Sequence, residues 1–198
     1  VIGVDVGTQS AKVMIFAANG GVVAEGHQAL RPLEIPAPNR AVHPDDDLWD
    51  GIVAATQDAV TGFVAVGHDV ASIEAMGICI IRCCRALLRA DGTLAHPVVN
   101  WMDERLDHPH AHEDHYGEVS HVTTSSGYIG LRLTGERIDT SANLIGWWPV
   151  DDLTLDWSDD PDRWASCNLR RDRVFDLVRP GERIGGLTAE VAALLGLP

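Results

Sequence analysis

Val1-Ile2-Gly3-Val4-Asp5-Val6-Gly7-Thr8-Gln9-Ser10-Ala11-Lys12-Val13-Met14-Ile15-Phe16 opens the chain, and its reading decides the fold. Ile2 and Val4 precede a polar centre, and Val13, Ile15 and Phe16 follow it. Two apolar, β-branched arms around a polar tip make a β-hairpin. The tip is Asp5-Val6-Gly7-Thr8-Gln9-Ser10, where Gly7 lets the backbone turn and approach a ligand closely. The amides from Gly7 to Ser10, with the Thr8 and Ser10 hydroxyls, can converge on an anion as a phosphate nest. Asp5, at the end of a buried strand, is placed to hold a hydrated Mg2+, because hard cations take carboxylate oxygen. An ordinary hairpin with a polar turn has the same spacing; the density of phosphate-suited groups favours the nest.

The chain has 198 residues, enough for a real core and one domain, or one with an appendage. Its net charge is -14, with Lys12 as the single lysine beside 14 arginines. That balance argues against nucleic acid or an anionic membrane as the main partner, since both need a basic face. It leaves room for a nucleotide, whose phosphates amides and a metal can hold locally. Cys79, Cys83, Cys84 and Cys167 show no disulfide framework, and the adjacent Cys83-Cys84 pair suits reduced, buried thiols in the cytoplasm. No signal peptide and no apolar run of transmembrane length is visible. The chain starts at Val1 inside a strand, so an initiator residue or short leader is expected before it.

Further along, Gly20-Gly21 closes a second hairpin, and a third strand runs from Val22 to about Leu30. A proline-containing loop spans 31–39; Asp45 and Asp46, after Pro44, then cap a helix to about Gly62. Its Trp49, Ile52, Val53, Thr56 and Val60 share one face, suited to packing on a sheet. Ile73 to Ile81 reads as a fully buried strand, with Arg85 to Arg89 and Val98 to Trp101 as further strands. Asp91-Gly92 is a tight turn between them. Three antiparallel strands, a helix, then more strands is the order of an α/β, ribonuclease-H-like (actin/hexokinase-type ATPase) domain, a mixed sheet flanked by helices. A dinucleotide fold would place a helix straight after the first strand.

Past Asp103 the composition turns polar. His108, His110, His112, His115 and His121 cluster there, but alternate histidines beside Pro109 specify no zinc geometry and read as a solvated loop. Ser125 to Leu133 predicts a short helix stopped at Gly135, and the acidic stretch 151–162 a loop. A helix is expected around Leu169 to Leu177, a turn at Arg179 to Glu182, and a final helix from a Thr188 cap through Leu195.

Several stretches resemble one family in order. Asp5-x-Gly7-Thr8-x-Ser10-x-Lys12 is similar to the first phosphate motif of the FGGY carbohydrate kinases, the group of xylulokinase, ribulokinase and glycerol kinase. His43-Pro44-Asp45-Asp46-x-Leu48-Trp49 resembles their Q-D-P-x-x-W segment. Ala75-Met76-Gly77-Ile78, with Pro97 to Arg105, resembles G-I-…P-x-I-x-W-x-D-x-R. Leu133-Thr134-Gly135-Glu136 with Asp139-x-Ser141 resembles L-T-G-…-T-D-x-S, and Arg179-Pro180-Gly181-Glu182-x-Ile184-Gly185 resembles p-G-e-x-i-G.

The resemblance implies that the chain is the N-terminal portion of an ATP-dependent, Mg2+-using sugar kinase, residues 1–198 being an incomplete domain. Asp5, Gly7, Thr8, Gln9, Ser10 and Lys12 would hold phosphate and, through water on Asp5, Mg2+. Arg82, Trp101, Asp103 and Arg105 would contact a sugar such as xylulose, or a polyol. Asp103 also reads as a helix cap and Arg105 as the partner of a carboxylate. A homodimer is compatible with the resemblance, and the competing expectation is a non-catalytic sugar-kinase-like domain. There are departures. The family's Gln-Met-His or Gln-Arg-Glu sugar-contacting turn falls at Ile81-Arg82-Cys83, where only Arg82 agrees and Ile81 cannot hydrogen-bond a hydroxyl. The interval from Trp101 to Leu133 is short, around 106–125. The resemblance puts the general-base aspartate and the adenosine-binding domain past Pro198.

Overall fold

The computed structural model describes residues 1–107 and 116–198, so the histidines from His108 to His115 lie outside the described residues. The chain forms two compact units. One comprises Val1–Pro32, Asp47–Ile81 and Gly186–Pro198, and the other Leu33–Asp46 and Arg82–Gly185.

In the first unit the opening residues form the expected hairpin, β1 (Ile2–Val6) and β2 (Ser10–Phe16), followed by β3 (Val22–Ala29). With β4 (Met76–Ile80) they make a sheet of order β3-β2-β1-β4. β1 runs antiparallel to β2 and parallel to β4, so the sheet is mixed as expected. Register puts Val4 opposite Val13 and Asp5 opposite Lys12, which sorts apolar residues to one face and charges to the other. Ile2, Val4, Val6, Ala11, Val13 and Ile15 are all buried. They meet helix α1 (Asp47–Ala65), whose Trp49, Ile52, Thr56 and Val60 are buried as the periodicity predicts, with Val53 half-buried. Each large aliphatic side chain so buried contributes about 1.5–3 kcal/mol. The helix can approach because Gly26 of β3 has no side chain; a Cβ there would lie 2.0 Å from the Ala55 carbonyl oxygen. Helix α5 (Ala189–Leu195), capped by the Thr188 hydroxyl as expected, buries Val191 and Leu195.

The second unit pairs β5 (Arg85–Leu88) antiparallel with β6 (His121–Thr124), and β7 (Ile138–Thr140) parallel with β8 (Asp176–Val178). Helices α2 (Ser125–Thr134), α3 (Ser141–Leu144) and α4 (Pro161–Cys167) complete it. Leu87, Ala95, Val119, Val122, Leu169 and Val174 form its core, edged by Trp148, Trp157 and Trp164. Helix α2 ends where predicted, with Gly135 in the left-handed region (φ 77°). Among the described residues, no helix is long and apolar enough to cross a membrane.

Some sequence readings are corrected. No helix occupies 169–177; a 3-10 turn at Arg171–Arg173 and then β8 take its place. The helix lies earlier, started by the Asp160 side chain on the Asp162 amide with Pro161 in its first turn, a start signal inside the presumed loop. Strand β4 is shorter than Ile73 to Ile81 and alternates between half-buried and exposed up to Cys79, with only Ile80 buried, because it is the edge of its sheet among the described strands. Val98 to Trp101 is no strand, only single bridges from Val99 to Val42 and to Arg85. Helix α1 starts after the predicted caps, and Asp45 sits at positive φ (47°). Of the Cys83-Cys84 pair only Cys84 is buried; Cys83 is half-buried.

Candidate functional site

The tip residues stand together. β1 ends at Val6, and the Gly7 amide donates to the Ser10 carbonyl (3.0 Å), closing the turn before β2. Thr8 and Ser10 are half-buried, and Gln9 is exposed with its carbonyl tied to the Leu30 amide (2.9 Å). A Cβ at Gly7 would meet nothing within 4 Å, so the space over the turn is open. Asp5 and Lys12 are exposed cross-strand neighbours on the face away from the apolar row. The register extends that row to His27 on β3 and Cys79 on β4, both exposed. The period-two pattern held this information, but pairing β4 with β1 required the tertiary structure.

The proposed sugar-contacting residues divide in two. Arg82 and Cys83 form a surface turn, with Arg82 exposed and Cys83 at φ 61°. Arg85 and Val99 exchange two 2.9 Å backbone hydrogen bonds, which sets this turn beside the chain at Trp101. The Cys84 sulfur accepts the Trp101 amide; burial pushes the Cys84 thiol up to about 12, outweighing that hydrogen bond. Trp101 is 51% exposed. Asp103 and Arg105, by contrast, are buried and bound to each other. Arg105 Nε donates to Asp103 Oδ1 and Nη2 to Oδ2, both at 2.9 Å. The same carboxylate accepts the Arg105 amide (2.9 Å) and the Ala41 amide (2.7 Å). The capping and ion-pair readings of these two residues therefore describe their contacts. Arg105 Nη1 also lies 3.2 Å from His96 Nε2, a partner with no signal in the sequence.

Burial raises the Asp103 pKa, but the hydrogen bonds from the Arg105 side chain and amide and the Ala41 amide together hold it below the usual carboxylate range. The sign follows. A depressed folded-state pKa contributes stability that is present above the unfolded value, near 3.9, and is lost as pH falls through the folded value. Thermal melts should hold steady down to about pH 5 and fall below about pH 4, with Asp103→Asn flattening that acid limb. An unchanged limb in the variant would overturn the assignment.

The sequence reading named Asp46 and Asp139 but not the partners that the fold gives them. Asp46 accepts the Tyr128 hydroxyl (2.6 Å) and pairs with Arg132, so it braces α2 instead of capping α1. Burial, then the hydrogen bond and charge of Asp46, push the Tyr128 hydroxyl pKa up. Asp139, 1% exposed, gathers the Thr123, Thr124 and Ser126 hydroxyls (2.8, 2.8 and 2.6 Å). It also takes the Thr124 and Thr140 amides (3.2 and 2.7 Å). Gly127 leaves the space, since a Cβ there would sit 2.0 Å from Thr123 Oγ1.

No protein-family model matches the chain. It is 41% identical over 198 residues to the uncharacterized sugar kinase YgcE of Escherichia coli (strain K12), covering 100% of this chain and 39% of that protein. It is 25% identical over 230 residues to the xylulose kinase of the same organism, covering 99% of this chain and 46% of that enzyme. Among solved structures, the gluconate kinase of Lactobacillus acidophilus superposes with a TM-score of 0.84 at 18% identity, covering 100% of this chain and 45% of that one. At that identity the likeness shows the fold, the actin/hexokinase-like ATPase type read from the strand order. The chain thus spans less than half the length of these relatives. Matched throughout in this way, the chain is similar over its whole length to the N-terminal portion of sugar kinases, in keeping with the resemblance of its motifs to the FGGY group.

Proposed function

We propose that the chain supplies the phosphate-gripping and sugar-contacting portion of a kinase that transfers a phosphoryl group from ATP to a sugar hydroxyl. The observation that carries this is the open tip, where exposed Asp5 and Lys12 stand side by side at a turn of free space. The donor set fits the ligand: carboxylate oxygen suits Mg2+, while amides, hydroxyls and one ammonium suit phosphate. Among the described residues no group of three or more His, Cys, Asp or Glu gathers as a metal cage. One carboxylate acting through water is the usual way a protein holds Mg2+ beside phosphates. When bound, Mg·ATP supplies the phosphoryl group and neutralises much of its charge.

The residues of this chain position that chemistry. Asp5 orients the hydrated metal, Thr8, Ser10 and the tip amides hold phosphate oxygens, and Lys12 adds a cation. Trp101 offers an apolar ring to the sugar, Arg82 a charged contact, and Asp103 with Arg105 shape the turn that carries Trp101. The base that accepts the hydroxyl proton is assigned, by resemblance, to the aspartate expected past Pro198. Xylulose is the starting candidate, because a xylulose kinase is among the relatives. The altered turn Ile81-Arg82-Cys83 favours the second reading, a sugar-binding domain without turnover.

The test is sugar-stimulated ADP release by the polypeptide its gene encodes, with Mg·ATP and a panel of ketopentoses, polyols and sugar acids. Turnover of roughly 1–100 per second with one of them is expected. ADP release that no sugar stimulates would sink the kinase reading and favour the second.

A further inference from the structure

We infer that the ligand of the Arg82 turn carries a carboxylate: a sugar acid of the aldonate class, with its carboxylate on the Arg82 guanidinium and its carbon chain against Trp101. This rests on the sugar-kinase reading and narrows its substrate.

Arg82 stands apart from the other arginines. Arg31, Arg85, Arg89, Arg105, Arg132, Arg137, Arg163, Arg170, Arg171, Arg179 and Arg183 each donate to a carboxylate or carbonyl oxygen. Arg40 and Arg173 are engaged as well. Among the arginines, only the Arg82 side chain has no hydrogen bond, ion pair or ring contact to another described residue. The chain carries 29 acidic residues against 15 basic ones, so carboxylates are plentiful, yet none of those described pairs with Arg82.

The surroundings support an external partner. Cys83, next to it, holds the left-handed region at φ 61°, which costs a residue with a side chain of order 1 kcal/mol and here shapes the turn bearing Arg82. Neither Cys83 nor Cys84 brings a carboxylate, and the nearby Asp103 carboxylate is committed to Arg105. Beside the turn, Trp101 and Met102 are 51% and 50% exposed, an aromatic and an apolar surface next to a cation. A guanidinium presents a planar fork that matches a carboxylate with two parallel hydrogen bonds. A phosphate has the same shape but more charge, and this turn offers it only one cation. One arginine favours the singly charged carboxylate.

The test is calorimetric titration of the polypeptide its gene encodes with D-gluconate, D-xylonate and L-threonate, each against its neutral aldose and against glucose 6-phosphate. At least one aldonate should bind about 10-fold or more tightly than its aldose. Arg82→Gln should erase that difference without moving the thermal midpoint, and Arg82→Lys should restore only part of it, having charge but no fork. Three results would overturn the inference: aldonates no tighter than aldoses, a preference that survives Arg82→Gln, or tightest binding of glucose 6-phosphate. An aldonate bound through Arg82 but never phosphorylated by the gene's product sinks the kinase reading and leaves this inference standing. Phosphorylation of a neutral sugar with Arg82→Gln unchanged does the reverse.

Discussion

Asp5→Ala is expected to cut Mg2+-dependent turnover by about 10²–10³-fold while leaving the fold intact. The two halves of that expectation have separate physical grounds. Asp5 is exposed and lies opposite Lys12, and its side chain adds nothing to the sheet, which is held by the backbone ladder and the apolar face of β1. Surface substitutions of this kind change stability by about 0.5 kcal/mol or less. In phosphoryl transfer, by contrast, a protein mainly positions groups and neutralises charge, and removing one preorganised charge contact costs about 10²–10³ in rate. Steady-state kinetics at rising Mg2+ would show the loss; Asp5→Glu, which keeps the carboxylate, should recover part of it. Activity of Asp5→Ala within fivefold of wild type, with an unchanged melt, would remove the metal role from this residue.

Asp139→Ala is expected to destabilise the second unit by about 3–5 kcal/mol, because it strands buried donors instead of removing a surface charge. Asp139 accepts hydrogen bonds from Thr123, Thr124 and Ser126 side chains and from the Thr124 and Thr140 amides. Thr124 precedes α2 without capping it by its own side chain, so the distant carboxylate serves the start of that helix. Each buried donor left unpaired costs about 1–3 kcal/mol. Thermal unfolding should fall by roughly 10 °C. Gly127→Ala should act on the same group, since its Cβ would press 2.0 Å from Thr123 Oγ1 and 2.5 Å from Asp139 Oδ2. Losses that do not add in the double variant Thr123→Val with Asp139→Ala would show one coupled network. A shift below about 2 °C for Asp139→Ala would refute it.

What could be read in advance depended on how local each signal was. The hairpin, α1 and the Gly135 stop followed from period, glycine and apolar spacing within a few residues of one another. The misplaced helix shows the limit. The real one begins at Asp160-Pro161, a cap and first-turn pair hidden in an acidic stretch, while 169–177 holds a 3-10 turn and then the start of β8. Strand β8 is held there by pairing with β7, about forty residues away in sequence, and such pairing overrides local preference.

The same division runs through the site. By itself the sequence determined the tip from Asp5 to Lys12, because a turn and its two strands are contiguous and cross-strand register follows from the turn. It also determined the altered turn at Ile81-Arg82-Cys83, which is a matter of side-chain chemistry alone. Only the tertiary structure decided that Asp103 and Arg105 face each other in the interior while Arg82 and Trp101 face out. It alone gathered Thr123, Thr124, Ser126 and Asp139 around one carboxylate. The physical reason is burial: whether a charged side chain meets solvent or a partner depends on which segments pack over it, and those segments are distant in sequence.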